Sequence, residues 1–153
     1  MLGILVFDSA HQIKLVGINL AIPLEFIVEG VPVSQQTRRR ERLRMWMQDV
    51  SSVATREWNE GPLSAGALMV TITYVFDEDS LDVDNIPKPI LDALKRLVFS
   101  DDDQITDLLC RKRELQADLQ VQRFSPVLNE ALAGSTPFIH IIVDHAPDQG
   151  VIS

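Results

Sequence analysis

Residues 81–104, LDVDNIPKPILDALKRLVFSDDDQ, constrain this chain more than any other stretch. Two aspartates, Asp82 and Asp84, close a β-like run, a lysine-bearing helical pattern follows, and a triple aspartate at 101–103 ends it. Residues i and i+2 of an extended chain face the same way with Cα atoms about 6.5 to 7 Å apart, so both early aspartates would address one cavity. Lys88 follows Asp84 by four residues, about one helical turn. The loop after the helix could return Asp102 to the same place. Three clustered carboxylates raise one another's pKa unless a cation lies among them. A hard cation such as Mg²⁺ takes one or two carboxylates and completes its shell with substrate phosphate oxygens. The stretch therefore predicts a divalent-metal site serving phosphoryl chemistry, with Asp82, Asp84 and one of the triple aspartate, Asp102 in the reading taken up below, as metal ligands and Mn²⁺ as a substitute metal. One ion or two would fit, and Lys88 would neutralise developing charge or position water.

The same residues spell D-x-D-N-x-x-K-x-x-x-D-A-L and, further on, D-D-x-Q-[IV]: Asp82, Asp84, Asn85, Lys88, Asp92, Ala93 and Leu94, then Asp101, Asp102, Gln104 and Ile105. This pattern resembles the signature of the RusA family of Holliday junction resolvases, small Mg²⁺-dependent endodeoxyribonucleases. It covers roughly a sixth of the chain. The resemblance implies paired hydrolysis of DNA phosphodiesters at a four-way junction, in recombination and repair. It gives acid and lysine roles to Asp82, Asp84, Lys88 and Asp102. Family spacing favours Asp102 because Gln104 anchors the D-D-x-Q alignment, with Asp101 and Asp103 as the alternatives. Two symmetric nicks suit a two-fold assembly, and the resemblance implies a homodimer. Asn85 either caps the helix, the preferred reading, or orients a ligand. Asp92 either pairs with Lys88 or supports a ligating carboxylate.

Charge runs against DNA binding at first sight, because the chain carries a net −8. Residues 77–103 hold nine acids against three bases, leaving only −2 for the remainder. Bound cations would offset part of that cluster. Elsewhere the bases gather: Arg38, Arg39, Arg40, Arg42 and Arg44 surround a single acid, Glu41, and Arg111, Lys112 and Arg113 form a second group. The first group falls at the start of a predicted helix, where positive charge opposes the helix dipole and an anion would relieve it. Contact with DNA and a solvated basic face are the two readings of these arginines.

A chain of 153 residues with 46% hydrophobic content supports one domain with its own core. Cys110, the single cysteine, excludes an internal disulfide and fits a reducing compartment as a small buried side chain. The N-terminal aliphatic run is broken at Asp8, Ser9, His11 and Gln12, unlike a signal peptide, and no window is long and apolar enough to span a membrane. A cytoplasmic protein is expected.

Periodicity predicts an α/β (α+β) single domain: a mixed β-sheet of strands at 24–28, 68–76, 105–113 and 138–143, with helices 38–58 and 86–98 packed on it. Thr37 is the expected cap of the first helix, and Asp84 or Asn85 of the second. A short helix is expected at 114–121, broken by Ser125 and Pro126. Residues 2–7 and 13–20 suggest a hairpin within an N-terminal extension, 1–22. The endonuclease domain would span 23–145 and a frayed tail 146–153. His140, inside an apolar strand, reads as a satisfied core residue. An EF-hand fails because Ile86 and Pro87 stand where a ligand and a glycine belong. A D-x-D sugar transferase lacks room for its nucleotide-binding domain. A non-catalytic branched-DNA or partner-binding module, or a metal-dependent nuclease on another branched substrate, remain the alternatives.

Overall fold

A computed structural model describes residues 4–7, 13–16, 21–78 and 81–152. Strands β1 (Ile4–Phe7) and β2 (Ile13–Val16) pair antiparallel in a ladder of their own. This matches the expected hairpin; its turn and the outer ends of both predicted strands lie outside the described residues. The main sheet contains β3 (Leu24–Glu29), β4 (Leu68–Phe76), β5 (Ile105–Glu114) and β6 (Phe138–His145) in the order β3-β6-β4-β5. β6 runs antiparallel to β3 and β4, while β4 and β5 are parallel, so the sheet is mixed as predicted.

Alternation along each strand sets the layers. Leu24, Phe26 and Val28 of β3, Val70, Ile72 and Tyr74 of β4, and Ile139, Ile141 and Val143 of β6 are all buried. Two helices, α1 (Arg40–Glu57) and α2 (Pro87–Leu94), pack against each other and close this core. α1 buries Leu43, Trp46, Val50 and Ala54, spaced at the helical three-and-four step, while its first turns stay charged and exposed. Arg39, not Thr37, occupies its N-cap position; the Thr37 hydroxyl instead accepts from the Arg39 N–H, 3.3 Å away, within the preceding turn. α2 buries Ile90 and Leu94 and starts with Pro87 at its first position. It ends four residues earlier than predicted. Lys95 is extended, Arg96 takes a left-handed φ of 66°, and its N–H donates to the Phe99 carbonyl. Leu97 and Val98 continue the apolar spacing because this tight turn, not a helix, folds them inward.

The third helix, α3 (Pro126–Ala133), corrects the expectation for 114–121. β5 runs through Glu114, and the residues that follow turn without forming a helix. Pro126, read as a breaker, stands at the first helical position, where its missing N–H has no partner to lose. Ser125 caps the helix by accepting from Leu128 N–H, 3.1 Å away. The Ser125 hydroxyl also donates to Glu25, on the sheet face opposite the main core. His140 Nε2 lies 2.7 Å from the same Glu25 oxygen, so this buried ring is satisfied as predicted. Cys110 is half-buried in β5, and burial pushes its thiol up to about 11, which suits a packed side chain and not a nucleophile. No described helix is long and apolar enough to cross a membrane.

Candidate active site

The connection between parallel β4 and β5 carries the whole motif. After β4 the chain passes Leu81 and enters a 3-10 turn, Val83–Asn85, with Asp82 in the N-cap position. Lys112 of β5 fixes the entry by donating from Nζ to the Leu81 carbonyl, 2.7 Å away. Asn85 is tied on both sides, its N–H donating to Asp82 O at 3.0 Å and its carbonyl accepting from Gln35 N–H at 3.4 Å. Its side chain does not cap α2, and neither does that of Asp84. Pro87 and Pro89 remove two of the first-turn N–H groups that a cap would serve. Asp82 and Asp84 are exposed, but they flank a residue inside a 3-10 turn. Asp82 keeps an extended backbone at the N-cap while Asp84 lies inside the turn, so the two do not form the single extended run expected.

At the far end of α2 the triple aspartate divides its labour. Asp101 occupies the N-cap of a second 3-10 turn, Asp102–Gln104, and forms a capping box with Gln104. The Gln104 Oε1 accepts from the Ser100 and Asp101 N–H groups at 2.9 and 3.1 Å, which buries the glutamine and sets the loop. Asp103 is exposed. Asp102 turns toward the helix, where its Oδ2 lies 3.7 Å from Lys88 Nζ and 3.6 Å from Lys95 Nζ. Its Oδ1 is buried without a hydrogen-bond partner among the described residues. Lys88 also pairs with Asp92, one turn along α2. The Asp92 hydrogen bond, the largest cause, raises the Lys88 pKa; burial opposes it and the charges of Asp92 and Asp102 add to it. Lys88 is therefore a fixed cation at neutral pH and not a general base.

The structure thus joins Lys88, Asp92, Lys95 and Asp102. Among the described residues no three acidic, histidine or cysteine groups converge closely enough to hold a metal. The donor chemistry nonetheless fits Mg²⁺, which needs only one or two carboxylates beside phosphate oxygens, and the unpartnered Asp102 oxygen is a hard donor of that kind. Lys95 and Lys112 were not singled out by the motif. Lys95 stands seven residues from Lys88, two helical turns and so the same face, which was the available signal. Nothing local marks Lys112, whose partner is distant in sequence.

The five arginines of the predicted basic arm, Arg38, Arg39, Arg40, Arg42 and Arg44, are exposed around the start of α1. Arg44 is held by Glu41 at 2.6 Å, so one of the five charges is locally paired. The Gln35–Asn85 hydrogen bond links the loop before this arm to the motif.

An α+β domain with an acid–lysine network on the connection between parallel strands offers the charged groups that phosphoryl chemistry uses. Residues 29–122, well over half of the chain, match the family described as Endodeoxyribonuclease RusA, and the chain belongs to that family. The matched span contains the arginine arm, both aspartate groups and Lys88. No curated protein matches the chain.

Proposed function

We propose that the protein is a Mg²⁺-dependent, structure-specific endonuclease that resolves four-way DNA junctions by paired phosphodiester hydrolysis in recombination and repair. It would act as a cytoplasmic homodimer. The observation that carries this reading is the Lys88–Asp102 pair at 3.7 Å, with one Asp102 oxygen buried and unpartnered, inside the segment that matches RusA. Asp82, Asp84 and Asp102, which repel one another without a cation, would be drawn together to hold Mg²⁺, which would polarise the phosphate and lower the pKa of a bound water. Lys88 binds a phosphate oxygen and steadies the charge that builds there; Asp92 holds the ammonium in position. Lys95, which also lies 3.9 Å from Asp101, shares Asp102 with Lys88, so two ammonium groups converge on that carboxylate. Arg38, Arg39, Arg40, Arg42 and Arg44 bind the backbone of a junction arm, and a second copy supplies the second nick.

The test is nicking of an end-labelled synthetic four-way junction beside linear duplex of the same sequence, with Mg²⁺ or EDTA. Symmetric, Mg²⁺-dependent cuts confined to the junction, lost in Asp84→Asn, are the expected result. A junction that is bound but never cut in Mg²⁺ or Mn²⁺ would sink the nuclease and leave a branched-DNA binder.

A further inference from the structure

A cavity of about 360 Å³ opens beside the motif, bounded by the loop after β3, by Arg42 and by Leu81. Its position is informative, since Leu81 immediately precedes Asp82 and the loop is fastened to the motif through Gln35 N–H and the Asn85 carbonyl. The walls are of two kinds. Val31, Val33 and Leu81 make an apolar side, while Ser34, Gln36 and Thr37 present hydrogen-bonding groups. The Ser34 hydroxyl accepts from Gln36 N–H at 3.1 Å and the Thr37 hydroxyl from Arg39 N–H at 3.3 Å. Both oxygens are thereby aimed, and each O–H remains a donor for a ligand. Arg42 forms no ion pair among the described residues, unlike its neighbour Arg44, which is held by Glu41.

An apolar wall, convergent hydrogen-bonding groups and an uncommitted guanidinium match one nucleotide: a base to lie on the wall, base edges to read, and a phosphate for the cation. A phosphate alone would have no use for the apolar side, and duplex DNA is too wide for the space. We propose that this cavity receives an unstacked nucleotide next to the bond that is cut, and that Ser34, Gln36 and Thr37 set which sequences are cut fastest. The proposal rests on the nuclease reading above, and it adds a source of sequence preference separate from recognition of junction shape. A site built to hydrogen-bond a base rejects bases that leave those groups unpaired.

Two measurements test it on the full chain. On a junction with homologous arms, whose crossover migrates through many sequences, wild type should cut a few positions strongly. In a Gln36→Ala/Thr37→Val double variant the ratio of the strongest to the median position should fall about tenfold. An unchanged distribution in a variant whose circular dichroism matches wild type would overturn the proposal. The second measurement needs no cleavage: 2-aminopurine at the crossover, in EDTA, should brighten on binding wild type as the base leaves its stack. The double variant should bind with that brightening lost, and equal brightening in both proteins would also overturn the proposal. If wild type cuts no junction, the nuclease reading fails by the first assay, while the second still decides whether the cavity takes a base.

Discussion

Lys88 illustrates how a single charge gains a defined role from its neighbours. Its ammonium is shared between Asp92 and Asp102, and Asp92 is the stronger partner because it lies one turn away on the same helix. That partnership raises its pKa above the ordinary lysine value, so the charge persists through the neutral and mildly alkaline range. Lys88→Ala should lower the single-turnover junction-cleavage rate by about 10² to 10³-fold, the scale of losing one preorganised charge stabiliser. Asp92→Asn should cost less, because the charge remains and only its placement loosens. Lys88 should also contribute no limb to the pH–rate profile from about pH 6 to pH 9. A Lys88→Ala enzyme with the wild-type rate would remove the residue from the chemistry. The triple aspartate shows what was legible at this scale. Asp101 caps and reaches Lys95 alone, at 3.9 Å, while Asp102 meets both lysines, a division that a row of identical residues hides.

Among the elements, α3 was missed for a physical reason. Its apolar run is short and begins at Pro126, and proline both ends helices and starts them. What decides between the two is Ser125, which caps α3 and bonds Glu25 of β3 a hundred residues earlier in the chain. Strand β4, by contrast, was plain from its alternation, and it is an interior strand. α2 was legible in type but not in length, since Leu97 and Val98 keep the helical period through a left-handed turn at Arg96. The Glu25 anchor makes an acid-sensitive prediction. Burial works to raise the Glu25 pKa, but the Ser125 hydroxyl and the His140 ring together hold it below the ordinary 4.5. A carboxyl depressed in the folded state adds stability that is present above its unfolded pKa and lost as pH falls through its folded one. In urea unfolding, Glu25→Gln should therefore be less stable than wild type at pH 7, and the gap should narrow below about pH 4. Ser125→Ala should cost about 0.5 to 2 kcal/mol through loss of the cap. A pH-independent gap for Glu25→Gln would mean that the carboxylate charge is not what holds α3 to the sheet.

Across the whole molecule, charge is segregated. The motif region from 77 to 103 carries most of the net −8, while the arginines at the start of α1 form an exposed basic arm. Such a protein gains nothing from overall attraction to DNA, and in the proposed function the arm supplies local attraction while bound cations quiet the acids. Two consequences follow for junction binding measured by fluorescence anisotropy. Ca²⁺ or Mg²⁺ should tighten binding of the cleavage-dead Asp84→Asn variant relative to EDTA, because part of the acid field is neutralised when the remaining carboxylates take up metal. Replacing Arg38, Arg39 and Arg40 together by alanine should weaken binding and reduce its salt dependence. Each phosphate neutralised contributes a slope of about −0.9 in log K against log salt. The triple variant should therefore lose up to roughly 2.7 of that slope per arm engaged, and about twice as much if two copies each present an arm. Arg44 is left out of this comparison because Glu41 already holds it. A slope unchanged by the triple substitution would make the arm a solvated face, and the junction would then have to be held by basic groups elsewhere, of which Arg111 and Arg113 on β5 are the next to replace.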